Sequence, residues 1–492
     1  MNGLRRCSWW VFLGLFACDG GPESADTDAW DGTGGSSAGG PSSASNPSGG
    51  PGSGPSSDSK SDPSTDSASG SDTDPSTDSD TATSSGPPVS GPLLDRLDVV
   101  DVEVAEGVTG GVSNWRIWGT GPLHVSPVFT TPRPGCGSFV GFTTGSGSIT
   151  ARVAVLDSDD GVETSIDLAV GLELRGLAAE SETIFGALLW DPSGQRIYVR
   201  RFDVSAGELS STELTNSDNT PTDFGIGDSR LEYGGGRYGA YYHVHSDTGH
   251  EGDTLKWIDA ASGVETTGWG WGCSHSMSNL LRFNPGLDTF MPACVTDCFP
   301  GTSGDFAANA IGGIYLNHNQ ARVLDVDAGC NGDVAGELGG AGLAPSGWVM
   351  TFNAHQAPAT AGQGSYDPST MNQDIGFVAV DSGMQPGAVV WLTETPGNED
   401  DATAVRWQPS DDGSEQYVVG WHGGETHWLG RVDAAGTFLE GPIDLAGAAA
   451  WGKRDDPMRA HGNGDVSWAW FDDPGSTALH VARLRSGSAC GS

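Results

Sequence analysis

The stretch Ala151–Asp157 (ARVAVLD) is one copy of a unit that recurs along this chain. The unit is a strand of alternating character that ends in an acid and is followed within a few residues by Gly. The other copies are Tyr198–Asp203, Leu255–Asp259, Arg322–Asp325, Phe377–Asp381, Trp428–Asp433 and His480–Arg485, the last of which lacks the acid. Seven copies at intervals of about 50 residues indicate a repeat architecture.

Strand-like segments flank each copy. The alternating segments that precede the copies are Ser138–Thr143, Thr183–Trp190, Arg237–His245, Thr289–Thr296, Gly347–Asn353, Glu415–Trp421 and Asp465–Phe471. Most repeats also have a first strand, such as Ser229–Tyr233 or Ala404–Trp407, and a fourth, such as Val162–Leu168, Glu208–Thr215 or Phe438–Leu445. Four antiparallel strands per repeat are typical of a propeller blade. The sequence therefore predicts an all-β fold over residues 91–492, a seven-bladed β-propeller with four-stranded antiparallel blades, in which blade four is the least regular.

The recurring unit is then the third strand of each blade together with its turn to the fourth strand. Asp suits such a turn because its side chain accepts hydrogen bonds from the turn backbone, and Gly suits it because it tolerates positive φ. Blade seven lacks a fourth strand, and the strand-like segment Leu97–Val104 is free to supply it. The two ends of the domain should then meet, and we expect a disulfide between Cys136, in the first turn of blade one, and Cys490, just past the last strand.

The N-terminus has the order of a secretory signal, since two arginines precede the apolar run Trp9–Phe16 and a small residue precedes Cys18. The stretch Leu15–Cys18 resembles the lipobox of bacterial lipoproteins. This resemblance implies a lipoprotein signal peptide over residues 1–17 and an acylated, palmitate-bearing Cys18. The alternative is a plain signal peptide with an incidental cysteine. Residues 18–90 are almost wholly Gly, Ser, Asp, Thr and Pro, which predicts a disordered tether.

The propeller itself resembles the repeat propellers of bacterial lipoproteins. The region 227–341 is similar to part of an uncharacterised exported family, through Tyr241–Asp253 (YYHVHSDTGHEGD), Trp269–His275 (WGWGCSH) and Cys294–Cys298 (CVTDC). The resemblance implies location and fold, and no activity. We therefore expect an exported lipoprotein held to a membrane through its lipid anchor only, at the outer membrane or cell surface in preference to the inner membrane.

The charge of the chain excludes some partners. With 23 Lys and Arg against 64 Asp and Glu, the formal net charge is −41. Such a surface repels nucleic acid and anionic lipid headgroups. The charge suits a soluble exported domain that binds cations. We expect the domain to be a monomer.

Cysteine usage fits an oxidising compartment. Apart from Cys7 and Cys18, the chain has an even number of cysteines, namely Cys136, Cys273, Cys294, Cys298, Cys330 and Cys490. These predict three disulfides, with the pairing among the four central cysteines open. Cys294 and Cys298 form a CxxxC pair without a second close pair, which favours structural bridging over metal ligation.

Loops between the second and third strands share one face of a propeller, and such faces often bind ligands. The candidate ligand residues at these strand ends are Asp191, His245, His355, His422 and Asp472. A protein, peptide or glycan would be a suitable ligand for this loop face. The alternative is that these polar strand ends are simply solvated.

A second hypothesis places a divalent metal, zinc or calcium, in blade three. The candidate ligands are His243, His245, His250, Glu251 and His275. Residues i and i+2 of a strand share a face, so His243 and His245 can reach one ion. A nitrogen-rich site suits zinc, and an open position would allow a metal-dependent hydrolase or lyase. The alternative is that loop histidines bond backbone groups. The acidic turns at 157–161 and 399–401 lack EF-hand spacing and are expected to remain solvated. No catalytic residue is assigned, so a binding or scaffolding module is the first prediction and the metal-dependent enzyme the second.

Overall fold

The computed structural model describes residues 91–109, 112–115, 122–125, 128–145, 148–216, 226–227, 229–245, 251–269, 273, 278–296, 313–317, 321–325, 332–344, 347–359, 372–409, 414–451 and 456–490. In a few of these stretches only the backbone is described, as at His245 and Glu251. Within this part of the chain, no helix is long and apolar enough to cross a membrane. The predicted signal peptide, Cys18 and the tether lie outside the described residues.

The described residues form β-strands and one short 3-10 turn, Leu93–Arg96. The strands are β1 (Leu97–Glu103), β2 (Val112–Trp115), β3 (Pro122–Val125), β4 (Phe129–Pro132), β5 (Ser138–Thr144), β6 (Thr150–Leu156), β7 (Val162–Val170), β8 (Glu173–Ala179), β9 (Ile184–Asp191), β10 (Arg196–Asp203), β11 (Gly207–Glu213), β12 (Arg230–Gly234), β13 (Arg237–His245), β14 (Glu251–Asp259), β15 (Glu265–Trp269), β16 (Asn279–Asn284), β17 (Thr289–Thr296), β18 (Gly313–Leu316), β19 (Ala321–Leu324), β20 (Gly332–Ala344), β21 (Gly347–Ala359), β22 (Asp374–Asp381), β23 (Val390–Trp391), β24 (Glu399–Trp407), β25 (Gln416–Gly423), β26 (Thr426–Asp433), β27 (Phe438–Asp444), β28 (Arg459–Ala460), β29 (Val466–Trp470) and β30 (Ala478–Leu484).

Seven four-stranded antiparallel sheets form the blades. Blades one to six are β4–β7, β8–β11, β12–β15, β16–β19, β20–β23 and β24–β27, and blade seven contains β28, β29, β30 and β1. The first strands of successive blades contact one another around the axis, and β28 of blade seven contacts β4 of blade one. The ring of seven blades is therefore closed, as the repeats predict. The remaining strands, β2 and β3, form a separate hairpin.

The acids that mark the repeat hold the predicted tight turns. Oδ1 of Asp157 accepts the N–H groups of Asp159 at 2.9 Å and Gly161 at 2.8 Å. The corresponding oxygens of Asp203, Asp259, Asp381 and Asp433 accept turn N–H groups in the same way. At Asp203, hydrogen bonds from the side chain and backbone of Ser205 lower the pKa to about 2. The motif that reveals the repeat thus also shapes the turn between the third and fourth strands in five of the blades.

Apolar side chains fill the spaces between neighbouring blades. Between blades six and seven the core contains Trp407, Trp451 and Trp468, each fully buried. The rings of Trp451 and Trp468 have centroids 5.0 Å apart, and the Trp451 indole N–H donates to the carbonyl of Trp421 at 3.0 Å. Buried aromatic rings remove a large apolar area from water. The apolar residues of each alternating strand therefore form the core between neighbouring blades.

The ring closes where the two ends of the domain meet. β1 pairs with β30 along its whole length, from Leu97 opposite Leu484 to Glu103 opposite Ala478, and so supplies the fourth strand of blade seven. The predicted Cys136–Cys490 disulfide is present in the structure. Beside it, Arg483 of β30 donates two hydrogen bonds to Asp160 of blade one, at 2.7 and 2.5 Å. Strand pairing, a covalent bond and a buried ion pair all join blades seven and one.

Blade four corrects one strand assignment. Arg322–Asp325, taken as a third strand, overlaps β19, which is the fourth strand of this blade. The third strand is the shorter β18, which pairs with β17. The acid of the repeated unit follows the fourth strand here, so the sequence signal was shifted by one strand. A second disulfide joins Cys273 to Cys294, while Cys298 and Cys330 lie outside the described residues.

Candidate functional site

A cavity of about 400 Å³ lies on the axis of the ring. Every blade contributes to its lining through its innermost strand or the turn that follows it. The charged and polar lining side chains are Glu232, Arg282, Arg406, Gln408, Arg459 and His461. The cavity extends toward the carboxyl ends of the innermost strands. It therefore lies nearer the turns between first and second strands than the loop face that the sequence predicted as the binding surface.

A buried aspartate pairs with two of the arginines that line the cavity. Asp456, fully buried just before β28, forms an ion pair with Arg282 of blade four. Its carboxylate also lies 3.0 Å from Arg459 of blade seven and 3.8 Å from Arg230 of blade three. Arg282 in turn contacts Glu232 of blade three at 3.0 Å and donates to the carbonyl of Ala341 at 3.0 Å. One carboxylate thus connects three blades across the axis.

The ionisable groups around Asp456 leave an excess of positive charge. Burial opposes the ionisation of Asp456, yet Arg282, Arg459 and Arg230 lower its pKa, so the carboxylate is charged. Burial raises the pKa of Glu232, which weakens its negative charge. The imidazole of His461 is neutral, because burial and the nearby Arg483 and Arg485 lower its pKa well below the ordinary range.

Arg406 of blade six adds a further charge to the cavity. Its Nε is buried and has no hydrogen-bond partner among the described residues, and within them Arg406 forms no ion pair. The axial cluster, defined as Arg230, Arg282, Arg406, Arg459, Glu232 and Asp456, then holds four guanidinium groups and two carboxylates. Two positive charges are left over beside an open volume. Such a site has the chemistry to bind an anionic group, because guanidinium donors match carboxylate and phosphate oxygens.

The predicted loop-face side chains that the structure describes have partners within their own blades. Oδ1 of Asp191 accepts N–H groups of its own hairpin turn, from Ser193 at 3.0 Å and Gly194 at 2.9 Å. Nδ1 of His355 lies 2.8 Å from the carbonyl oxygen of Asn372. Asp472 is 3.1 Å from His480 within blade seven. The side chain of His245 lies outside the described residues. Local turn and strand contacts thus account for three of these five side chains.

His422, the remaining loop-face candidate, belongs to a cluster in blade six. Its Nδ1 is 2.9 Å from Oδ1 of Asp400, and this hydrogen bond raises the pKa of His422. Its ring lies beside that of His427, with centroids 4.8 Å apart. Burial, followed by the neighbouring His422, lowers the pKa of His427. The acidic segment 399–401, expected to be solvated, is therefore partly engaged with imidazole.

The predicted metal centre of blade three is described only in part. His243 is fully buried, and its Nδ1 lies 3.7 Å from Oδ1 of Asp253 on the neighbouring strand. The backbones of His245 and Glu251 are paired, but their side chains, like His250 and His275, lie outside the described residues. The sulfurs of Cys273 and Cys294 are close to Asp253 but bonded to each other, so they offer no thiolate ligand. The metal hypothesis for blade three stays a prediction.

The arginines of the axial cluster are what sequence reasoning missed. They are far apart in sequence, and each belongs to a different part of the ring. A signal was present, because Arg230 and Arg406 lie in the first-strand segments Ser229–Tyr233 and Ala404–Trp407. First strands line the axis of a propeller, so a charged residue in a first strand is a candidate for lining the axial cavity.

No protein-family model matches the chain, and no curated protein matches it significantly. Among solved structures, it is similar to the β-propeller domain of the trilobed protease from Pyrococcus furiosus, with 8% identity over 73% of this chain and 92% of that chain, and a TM-score of 0.41. It is also similar to the Dos1 propeller, with 12% identity over 70% and 74% of the two chains and a TM-score of 0.38. It is similar as well to Trypanosoma rangeli sialidase in complex with sialic acid, with 8% identity over 76% of this chain and 73% of that chain, and a TM-score of 0.36. These distant likenesses carry no functional argument. The strand pairing of the chain itself identifies a seven-bladed β-propeller.

Proposed function

We propose that this protein is an exported lipoprotein, anchored through Cys18, whose propeller is a binding module for a ligand that bears an anionic group. The observation that carries the binding proposal is the excess of guanidinium over carboxylate in the axial cluster, next to a cavity of about 400 Å³. A cavity of this size accommodates a small molecule or the end of a larger one.

The location of the positive charge supports a specific site. The chain as a whole carries a net charge of −41, which repels anions at a distance. Salt screens such interactions beyond about 8 Å at physiological ionic strength. Inside the cavity, the nearby guanidinium groups therefore decide which charge is favoured. The acidic exterior acts against nonspecific capture of polyanions, because these cannot approach the axis without meeting carboxylates.

Arg406 offers the most direct test of binding. The purified full chain is titrated calorimetrically with inorganic phosphate and with glucuronate, two probes of the shared anion chemistry. We expect Arg406→Met to weaken binding at least tenfold with an unchanged melting temperature, because Arg406 forms no ion pair among the described residues.

The matched control is Arg200→Met, which removes an arginine from the outer part of blade two, where it pairs with Glu208. This variant should bind both probes like the wild type. Absence of any anion binding by the wild type, or equal losses in the two variants, would contradict the proposed site.

The lipid anchor is tested separately. The motivation is the sequence Leu15–Cys18 followed by a long Gly-, Ser- and Asp-rich segment. Wild-type protein should partition with membranes, and Cys18→Ser should release it into the soluble fraction. A wild-type protein that is already free and has an unmodified N-terminus would refute the anchor without affecting the cavity proposal.

A further inference from the structure

Metal-ligating side chains line one end of blade six, where β24, β25 and β26 run side by side. Asp400 is directly opposite His422, and His422 is directly opposite His427. Opposite residues of antiparallel strands present their side chains on the same face. The strand register therefore places one carboxylate and two imidazoles in a single row.

A β-bulge brings a second carboxylate to this row. The pairing of β24 with β25 shifts between Asp400 and Thr403, and Asp401 has a φ of 50°. Successive strand residues normally point to opposite faces, so a regular strand would turn Asp401 away from Asp400. With the bulge, ligand atoms of Asp400, Asp401 and His422 all lie within 4.8 Å of one another. A non-glycine residue in the left-handed region costs free energy, and such strain concentrates at functional sites.

The second imidazole has a nitrogen that lacks a partner. Nδ1 of His427 is shielded from solvent and has no hydrogen bond to any of the described residues. A buried polar atom left in this state has lost its hydrogen bonds to water without replacing them, which destabilises the fold. A metal ion that accepted the nitrogen lone pair would remove this cost. The rings of His422 and His427 lie side by side, with centroids 4.8 Å apart and planes tilted by 30°, so His427 is the imidazole next to the group formed by Asp400, Asp401 and His422.

We propose that blade six binds one divalent transition-metal ion, with zinc as the expected occupant, through Asp400, Asp401, His422 and His427. Zinc takes four nitrogen and oxygen ligands at about 2.0–2.2 Å in a tetrahedron, which sets ligand atoms about 3.4 Å apart. His422 Nδ1 and Asp400 Oδ1 are now 2.9 Å apart, so a small separation of the two side chains admits the ion.

The donor set also selects the class of ion. Calcium and magnesium prefer oxygen ligands, whereas two imidazoles favour a transition metal. Two carboxylates with two neutral imidazoles balance the charge of a divalent cation. The side chains of His422 and Asp400 are 29% and 41% exposed, which leaves the ion a route from solvent. This site is independent of the axial cluster and of the anion-binding function proposed for it.

His480 provides a matched control, because it tests whether an ordinary ion pair between a histidine and two surface acids is enough to bind zinc. His480 lies between Asp101 at 2.7 Å and Asp472 at 3.1 Å, so it combines one imidazole with two carboxylates. It lacks the second imidazole. If a histidine between two acids were sufficient, His480 would bind zinc as well as the blade-six cluster.

The test uses the purified full chain without a histidine tag, stripped with chelator and titrated with zinc chloride by calorimetry. The three variants His422→Ala, His427→Ala and His480→Ala are compared. His243→Ala is added as a check on blade three, and each variant is first shown to retain the wild-type circular dichroism spectrum. We expect one zinc per wild-type chain. We expect at least a tenfold loss of affinity in His422→Ala and His427→Ala, and unchanged affinity in His480→Ala.

Several outcomes would overturn the proposal. Absence of zinc binding by the wild type would show that the cluster is a plain imidazole–carboxylate pair. Equal affinity in all three variants would place the ion elsewhere. Loss of binding in His243→Ala, with full binding in His422→Ala, would assign the metal to blade three. None of these results bears on anion binding at Arg406, so the two proposals fail separately.

Discussion

Two clusters of arginine and acidic residues, each centred on a buried aspartate, join blades of this ring, and they differ in charge balance. At the closure between blades seven and one, Arg483 is held by Asp160, while Asp465 lies 3.8 Å from Arg483 and 3.6 Å from Arg485. Asp98 adds a third carboxylate at 3.0 Å from Arg485. This closure cluster therefore has more acids than bases. The axial cluster has more bases than acids and adjoins an open cavity.

The difference lies in how fully the charge of each arginine is matched. In the closure cluster, the guanidinium group of Arg483 also donates to the carbonyl of Cys136 at 2.9 Å, and the side chain is fully buried. Its charge is fully matched by carboxylates that belong to the protein. In the axial cluster, Arg406 has no such match among the described residues and lines the cavity. Similar residue types therefore join blades in both places, but only in the axial cluster does one of them line an open cavity without a matching carboxylate among the described residues.

The largest effect is expected from removal of β1. A chain beginning at residue 91 should melt like the full chain, because the removed segment has too few apolar residues to contribute a core. A chain beginning at residue 107 loses the fourth strand of blade seven, and the exposed edge of β30 should destabilise the whole ring. Thermal melts compare the two truncations. Equal melting temperatures would show that strand pairing at the closure is dispensable.

The two buried aspartates give the sharpest comparison. Asp456→Asn leaves Arg230, Arg282 and Arg459 around a neutral side chain, so we expect a loss of about 3–5 kcal/mol in the free energy of unfolding. Asp160→Asn leaves Arg483 with Asp465 nearby, and we expect a smaller loss of about 1–3 kcal/mol.

Phosphate should distinguish these two variants further. Because the axial cluster adjoins a cavity, added phosphate should restore part of the stability of Asp456→Asn. It should leave Asp160→Asn unchanged, since Arg483 and Asp160 are both buried. Denaturant unfolding with and without phosphate measures both effects. Equal rescue of the two variants would remove the distinction between the clusters.

The disulfide at the closure is expected to contribute less than strand pairing. Replacing Cys136 and Cys490 together by Ser frees two ends that the bond joins across 354 residues. A bridge of this kind stabilises a protein by about 2–4 kcal/mol, chiefly by restricting the unfolded chain. The double variant should remain folded, with a lower denaturant midpoint. A midpoint equal to that of the wild type would show that noncovalent contacts suffice at the closure.

The smallest expected effect is a pH dependence of the free energy of unfolding, caused by His461 near the closure. Burial and then Arg483 lower the pKa of His461, so the folded state keeps this imidazole neutral while the unfolded state takes up a proton below about pH 6.5. Stability should therefore fall as the pH decreases from 6.5, by up to about 1.4 kcal/mol per pH unit for this one group. His461→Gln should flatten the slope, and subtracting its profile from that of the wild type cancels the other titrating groups. Identical slopes would contradict this assignment.

The fold was accessible from the sequence because propeller blades repeat locally. Alternation within strands such as Arg237–His245 and the turn acids at Asp157 and Asp381 are short-range signals, and they placed most strands. The strand assignment in blade four was wrong, because Asp325 follows the fourth strand there and the third strand is only four residues long. The axial cluster was only partly accessible: Arg230 and Arg406 lie in predicted first strands, which line the axis of a propeller. Which of the arginines meet, and with which carboxylates, depends on the closure of all seven blades, and no local pattern in the sequence encodes it.

The position of β1 has a mechanical consequence if the chain is pulled through its N-terminal segment, as the proposed lipid anchor would require. A force applied through the segment before residue 91 would first load Arg96, which bonds the carbonyls of Gly91 and Ser486, and Leu93, whose N–H donates to Glu440 of blade six. It would then peel β1 from β30, one residue pair after another, starting at Leu97 opposite Leu484. The Cys136–Cys490 bond lies outside this line of tension. Blades one and seven would thus stay covalently joined while the outer strand detaches and re-pairs, so the ring has a built-in tolerance to being pulled.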